Sequence, residues 1–308
     1  MPVKKMQLKL GRTDARYNAK RLWMSAFYDA RTLRPAPATL DLTKGQAIIW
    51  GMMLNNILGC CTVSAIGHLI QLWRLWLTGA IHTVPDESIR ALYNLVKVGQ
   101  DGGANMLDVL NAMVKTGLDD HKILGYVGIN VMNEEEWKSS TNLFGGTYFG
   151  LGMPLSAQTQ FAAGQVWDIP AGQRLTGKWA PGSWGGHAMP VVGYGLGRKK
   201  FITWGKEQEC TDRWWDTYVA RSDSEGYALI SQPGDWWDEA SRMAANGVQY
   251  PEMCNAAAEL ARKPLPFPDF DPNKPPPIPT PIPTPSMSVK VSVLVNTTTF
   301  EGVLYPKA

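Results

Sequence analysis

Two neighbouring cysteines mark the point where the sequence changes from a polar turn to an apolar helix pattern. The turn runs from Asn55 to Gly59, and Cys60 and Cys61 follow it. The apolar periodicity after them predicts a helix that begins at the cysteines and ends at Gly79. A thiol at a helix N-terminus lies beside unpaired backbone N–H groups, which favour the thiolate and so provide a nucleophile.

Asn55 lies six residues before Cys61. Its side-chain amide can act together with the Cys61 backbone N–H as the pair of donors that stabilises a developing oxyanion. A purely structural interpretation is open as well, because free cysteine is among the most often buried residue types. This stretch is therefore consistent with a nucleophile or with a small core residue.

The spacing resembles the entry to the active site in papain-like cysteine peptidases. In that family an amide side chain precedes a Gly-Ser-Cys sequence by the same interval, and Gly59-Cys60-Cys61 stands in its place here. The resemblance favours Cys61 as the nucleophile, because Cys61 then has the family's spacing from Asn55. It leaves Cys60 as the lesser candidate.

A double glycine, Gly102 and Gly103, resembles the family's glycine loop, whose backbone lines the substrate cleft ahead of a short helix. A helix pattern follows it and ends at Gly117, a typical C-terminal cap. The resemblance therefore places Gly102 and Gly103 at the substrate cleft.

The resemblance implies that His187 is the general base. A glycine precedes this histidine, and an apolar strand follows it and ends in Gly-Tyr-Gly at Gly195. The start of a strand is a rigid point from which an imidazole can take a thiol proton and return it to a leaving group. A lone histidine at a strand end is the alternative interpretation.

The third catalytic element departs from the family, which carries an Asn-Ser-Trp-Gly sequence after the histidine. This chain has Ile202-Thr203-Trp204-Gly205. Aligned on Trp-Gly, Ile202 takes the place of the asparagine, and it cannot accept a hydrogen bond. Aligned by distance from His187, Thr203 takes it, and its hydroxyl can orient the imidazole weakly. Trp204 is expected at the substrate cleft.

The resemblance covers roughly residues 40–232, where Glu225–Ile230 is similar to the family's closing strand. It is strongest to the divergent papain-like proteins of phages and bacteria. It implies an α+β, two-lobed fold, with a helical lobe at about residues 46–122 and an antiparallel, barrel-like β-rich lobe at about residues 123–262.

Both ends of the chain differ in composition from the middle. Residues 1–45 are polar and are expected to form an N-terminal arm or pro-like segment, either packed along the body or laid on its surface. Residues 263–286 contain 11 prolines in 24 positions, which predicts a polyproline II linker. Residues 287–308 alternate apolar and polar side chains and are expected to form a β-hairpin. Since so small a hairpin is marginal alone, residues 263–308 are expected to bind other protein subunits of a larger assembly.

The composition excludes some classes of protein. A net charge of +3 with both signs interspersed indicates no nucleic-acid partner. The most apolar stretch, residues 66–84, is interrupted by polar side chains, which argues against a membrane span. The start of the sequence has no apolar run of the signal-peptide kind, so cytoplasmic synthesis is expected. The four cysteines are expected to be free thiols, and no cofactor or metal is expected.

Two functions are consistent with these patterns. One is a papain-like domain kept as an accessory or decoration protein of a phage virion, with residual cysteine hydrolase chemistry. The other is an active papain-type peptidase or amidase that uses Cys61 and His187. The missing asparagine, the doubled cysteine and the C-terminal arm favour the first function slightly.

Overall fold

The computed structural model describes residues 8–16, 24, 36–43, 48–238, 241 and 243–248, and the backbone of two strands at 289–295 and 298–304. The chain divides into two compact units, Met1–Pro268 and Asp269–Ala308. The proline-rich stretch predicted as a linker lies outside the described residues, as does Cys254.

In the larger unit a short strand comes first, three helices follow it, and the remaining strands are interspersed with three more helices. The helices in the described part of this unit are α1 (Cys61–Thr78), α2 (Asp86–Val96), α3 (Met106–Lys115), α4 (Glu134–Leu143), α5 (Leu155–Ala162) and α6 (Asp212–Tyr218). The strands are β1 (Leu40–Asp41), β2 (Ile123–Ile129), β3 (Thr147–Met153), β4 (Gly185–Gly195), β5 (Arg198–Thr203), β6 (Lys206–Thr211), β7 (Glu225–Ser231), β8 (Trp237–Asp238) and β9 (Met243–Ala244).

The central helix α1 begins and ends where the sequence predicts. Every residue from Cys61 to Trp73 is buried, so this part of the helix is covered on all sides and forms the middle of the core. At its end Gly79 has a φ of 71° and donates its N–H to the Leu75 carbonyl, a left-handed cap that glycine adopts without a Cβ penalty. Helix α1 packs against β4, the strand that carries His187.

The main sheet is antiparallel, in the order β2-β7-β3-β4-β5-β6, with the short strand β1 also on β4. It is an open sheet, with β2 and β6 at its edges in the described residues, rather than the closed barrel-like lobe expected. A second pair, β8 and β9, lies after β7. The α+β class is confirmed, and within the described residues no helix is long and apolar enough to cross a membrane.

The smaller unit contains a pair of antiparallel strands, β10 (Val289–Val295) and β11 (Thr298–Leu304). Val295 lies opposite Thr298, so a two-residue connection joins the strands. The binding of this unit to other subunits stays a prediction.

Candidate active site

The first residue of α1, Cys61, lies at the wall of a cleft against β4. Its thiol is 1% exposed, and burial raises its pKa to about 11. Backbone N–H groups of Ala188, Gly11 and Arg12 oppose this effect and lower the pKa, but burial outweighs them. The Cys61 thiol is therefore neutral in this structure.

The neighbouring Cys60 faces a different environment. Its sulfur lies 3.5 Å from the Met53 carbonyl oxygen and 3.4 Å from the Ser64 hydroxyl, both in the core. Burial raises its pKa to about 12. Of the two candidate thiols, Cys61 is the one beside β4.

His187 lies near the start of β4, opposite Leu151 of β3, and is fully buried. Its Nε2 lies 2.7 Å from the Thr203 hydroxyl oxygen, whereas its Nδ1 has no hydrogen-bond partner among the described residues. The Trp204 indole stacks on the imidazole at 4.3 Å between ring centroids and an interplanar angle of 10°. The ring is thus held at one edge and one face.

A tight turn positions the two residues that contact His187. Thr203 pairs with Lys206, so Trp204 and Gly205 form a two-residue connection between β5 and β6. Both central residues have positive φ values, 45° and 73°, as a type I′ hairpin turn requires. The hairpin register brings the Thr203 hydroxyl to the imidazole, while Ile202 lies in the hydrophobic core.

Cys61 lies close to His187 in the cleft. A backbone N–H that lowers the pKa of the Cys61 thiol belongs to Ala188, the residue after the histidine. The structure records no hydrogen bond between the two side chains among its described residues. Burial, and then the nearby His68, lower the pKa of His187 to about 3. Thiol and imidazole are therefore both uncharged here, with no ion pair between them.

Asn55 binds a segment near the start of the sequence. Its Nδ2 donates to the carbonyl oxygen of Lys9 at 3.2 Å, and at 3.5 Å to that of Leu58. The Trp204 indole N–H donates to the same Lys9 oxygen at 3.0 Å. The donor predicted to stabilise an oxyanion thus holds a carbonyl oxygen, but one that belongs to this chain.

Residues 8–16, a described stretch of the N-terminal arm that is hereafter called the arm, lie in the cleft between the glycine loop and β4. The Ala104 N–H donates to the Gly11 carbonyl at 2.7 Å, and the Thr13 N–H donates to the Ala104 carbonyl at 3.1 Å. Gly11 and Arg12 both donate to the Gly186 carbonyl, at 3.2 and 3.0 Å. The arm therefore bridges the two sides of the cleft through backbone hydrogen bonds.

The fit between the arm and the cleft leaves no room for a side chain at two facing positions. A Cβ on Gly11 would lie 1.7 Å from the Gly59 carbonyl oxygen, and one on Gly103 would lie 1.9 Å from that of Gly11. Both distances are far below van der Waals contact. Of the predicted cleft glycines, Gly103 contacts the arm directly, whereas Gly102 bonds the Val98 carbonyl.

A buried ion pair anchors the arm. The Arg12 Nε donates to a Glu225 carboxylate oxygen at 2.9 Å, with side chains 4% and 1% exposed. The other Glu225 oxygen accepts from the Tyr227 hydroxyl at 2.8 Å. Arg12 runs past Gly150, where a Cβ would lie 2.5 Å from its Nε. The arm thus occupies the cleft with a side chain as well as with its backbone.

The sequence pointed to Cys61, His187 and Asn55 as candidates but not to the cleft contacts of Arg12 and Glu225. No local pattern marks a polar segment that binds through its backbone. Grouped metal-ligand side chains, as far as the structure describes them, lie outside this site, at residues 82, 119 and 121.

Solved structures with a similar fold are cysteine proteases. Xylellain from Xylella fastidiosa aligns with a TM-score of 0.52 at 13% identity, over 75% of this chain and 98% of that one. The cysteine protease and lectin-like domains of Cwp84 from Clostridium difficile align with a TM-score of 0.51 at 9% identity, over 73% of this chain and 56% of that one. This chain has a papain-like fold.

The likeness is one of structure alone. No family model matches the sequence, and no curated protein matches it either. At such low identity a papain-like fold fixes the architecture but assigns no activity, since one fold hosts many functions.

Proposed function

We propose that this protein is a latent cysteine hydrolase of peptide or related amide bonds, with its N-terminal arm closing the cleft. In this proposal Cys61 is the nucleophile, His187 the general base, and Thr203 the residue that orients the imidazole. The observation that carries it is the state of His187: Nε2 is bonded to Thr203, so Nδ1 is left to receive a proton.

The chemistry assigns each group one task. The Cys61 sulfur attacks the carbonyl carbon of the substrate, and its proton passes to His187. A carbon–sulfur bond forms while Asn55 donates to the oxyanion. His187 then gives the proton to the leaving amine as the carbon–nitrogen bond breaks, and a water activated by the same imidazole hydrolyses the thioester.

Two observations support a latent form. Burial keeps the Cys61 thiol and the His187 imidazole uncharged, with pKa values of about 11 and about 3. The arm contributes to that burial, because Gly11 and Arg12 lie against the thiol. When the arm leaves, water enters, and the penalty on both charged forms falls.

The experiment displaces the arm without changing a catalytic group. The substitution Gly11→Ala puts a methyl group 1.7 Å from the Gly59 carbonyl oxygen and forces the arm outward. We expect the rate of Cys61 alkylation by iodoacetamide at neutral pH, followed by peptide mass spectrometry, to rise roughly tenfold or more as thiolate forms.

The matched control is Gly125→Ala on β2, where the added methyl group has its nearest neighbour at 3.8 Å. It should alkylate at the wild-type rate. Hydrogen exchange of residues 8–16 reports whether the arm has left. If the arm amides exchange faster in Gly11→Ala but Cys61 reacts no faster than in the control, the hydrolase proposal is wrong.

A second candidate is a non-catalytic component of a larger assembly such as a phage virion. The paired strands β10 and β11 favour it, because an antiparallel pair of this size gains stability by joining another sheet edge. Deletion of residues 263–308 should then prevent incorporation into the assembly. Unchanged incorporation would remove this candidate.

A further inference from the structure

Three side chains with metal-ligand chemistry meet outside the cleft. His82 follows α1, whereas Asp119 and His121 lie in the turn between α3 and β2. One ligand atom of each lies within 4.8 Å of the other two. The His82 Nε2 is 2.8 Å from an Asp119 oxygen, and the two imidazole centroids are 5.4 Å apart.

The turn that carries two of these ligands is tightly defined. Leu118 and His121 exchange backbone hydrogen bonds of 2.8 and 3.0 Å around the pair Asp119 and Asp120. Both aspartates have positive φ values, 52° and 64°, which L-residues adopt at a cost. A strained conformation therefore holds the Asp119 carboxylate beside the imidazoles.

A fourth side chain, that of Asp235, contacts His121 at the ring nitrogen that is not the proposed ligand atom. Asp235, which follows β7, lies with one carboxylate oxygen 2.6 Å from the His121 Nδ1. Its side chain is 1% exposed, and its second oxygen has no hydrogen-bond partner among the described residues. A carboxylate on one imidazole nitrogen leaves the other, Nε2, as the ligand atom and fixes the orientation of the ring, as at many metal sites.

Each imidazole faces a carboxylate, and the two ring centroids are 5.4 Å apart. A single divalent cation satisfies both histidines and Asp119 together, since imidazole and carboxylate are both ligands of zinc-type ions.

We propose that His82, Asp119 and His121 bind a divalent transition-metal cation of the zinc type, with Asp235 as the positioning residue of His121. Ligand atoms of a tetrahedral zinc site are about 3.3 Å apart, as follows from bond lengths of about 2.0 Å. The present spacing reaches that value by small side-chain movements. Water completes the coordination on the open side, where His82 is 42% exposed.

Such a cation would link to one another segments that are distant in sequence. His82 belongs to the connection between α1 and α2, Asp119 and His121 to the turn before β2, and Asp235 to the chain after β7. Because the folded state presents the ligands together, cation binding should raise the unfolding temperature.

The test is a titration of the full-length protein with Co²⁺ and Zn²⁺, by visible spectroscopy and calorimetry. We expect one Co²⁺ per chain, with ligand-field bands of nitrogen and oxygen ligands and no thiolate charge-transfer band. The substitutions Asp119→Asn and His82→Asn should each weaken binding at least tenfold, and Asp235→Asn should weaken it by about ten- to a hundredfold.

Asp120→Asn is the matched control, because it makes the same change of charge at the next residue of the turn, on an exposed side chain. It should bind Co²⁺ like the wild type. The inference is overturned if the wild type binds no Co²⁺, if a thiolate charge-transfer band appears, or if Asp119→Asn and His82→Asn bind like Asp120→Asn. Metal-free unfolding curves of the variants verify that each one is folded.

Discussion

The four histidines of this protein form two pairs in two unlike regions. His68 and His187, at the cleft, are buried, and neither ring is bonded to a carboxylate of the described residues: one bonds the Gly51 carbonyl, the other the Thr203 hydroxyl. His82 and His121, at the proposed cation site, are partly exposed and bond Asp119 and Asp235.

The difference shows how the surroundings decide what an imidazole can do. Burial lowers the pKa of His68 to about 4 and that of His187 to about 3, so both rings stay neutral in the closed cleft. At the other site, carboxylates lie beside the imidazoles and supply the negative charge that a cation requires. In the two proposals, the first region transfers a proton once the arm has left, and the second coordinates a cation.

The largest expected effect is a loss of stability in acid. Because both cleft histidines have folded-state pKa values below the ordinary 6.5, the unfolded chain takes up protons first as the pH falls. Their contribution to the free energy of unfolding is fully present above pH 6.5. As the pH falls below 6.5 it decreases by about 1.4 kcal/mol per pH unit for each histidine, down to about pH 4 for His68 and about pH 3 for His187. At pH 5 the two histidines together have lowered the free energy of unfolding by about 4 kcal/mol.

Chemical denaturation between pH 7 and pH 5 measures this dependence. His68→Gln keeps a donor for the Gly51 carbonyl and removes one titrating ring, so about half of the histidine-dependent loss should vanish. An unchanged pH dependence in this variant would contradict the assignment.

The second prediction concerns the ion pair between the arm and the cleft. Glu225→Gln leaves the Arg12 guanidinium without its charged partner and should lower the free energy of unfolding by about 3 kcal/mol, as for other broken buried pairs. Asp223→Asn, which breaks the largely exposed pair with Arg221, is the control and should cost less than about 1 kcal/mol. Equal costs in urea denaturation would show that the arm is not anchored in this way.

The third prediction tests the orientation of His187. Thr203→Val removes the hydroxyl at Nε2 and leaves a buried imidazole unsatisfied, which should cost about 2 kcal/mol. Thr203→Ser keeps the hydroxyl and should retain most of the stability. In the Gly11→Ala background, the valine variant should also slow Cys61 alkylation, and equal rates in both variants would exclude an orienting role.

The smallest expected effect separates the adjacent cysteines. Cys60→Ala removes a sulfur that packs beside Met53 and Ser64 and should cost about 1 kcal/mol. Since the Cys60 thiol has a pKa of about 12 and lies in the core, the alkylation rate of Cys61 should not change. A marked fall in that rate would mean that the labelled thiol is Cys60.

Local patterns in the sequence were enough to predict the elements that carry the site. The start of α1 at Cys61, its cap at Gly79 and the strand after His187 each follow from neighbouring residues. The choice between Ile202 and Thr203 required the hairpin register, because alternate residues of a strand face opposite sides.

The contacts of the arm and the proposed cation site could not be predicted in this way. Lys9 bonds Asn55 and Trp204 through its backbone carbonyl, a group that every residue has. His82 and His121 are separated by a complete α2–α3 segment, and only the fold brings them together. Pairing over such distances leaves no periodicity in the sequence.

The short hairpin turn at Trp204 and Gly205 has a further consequence. Thr203 and Trp204 are neighbours in this turn and contact His187 at its edge and at its face. The orientation of the imidazole is therefore set by the geometry of one turn. In the proposed opening, departure of the arm takes the Lys9 carbonyl away from the indole N–H and leaves both of these contacts in place. Exposing His187 and preparing it for proton transfer would then be a single event, with no rearrangement in between.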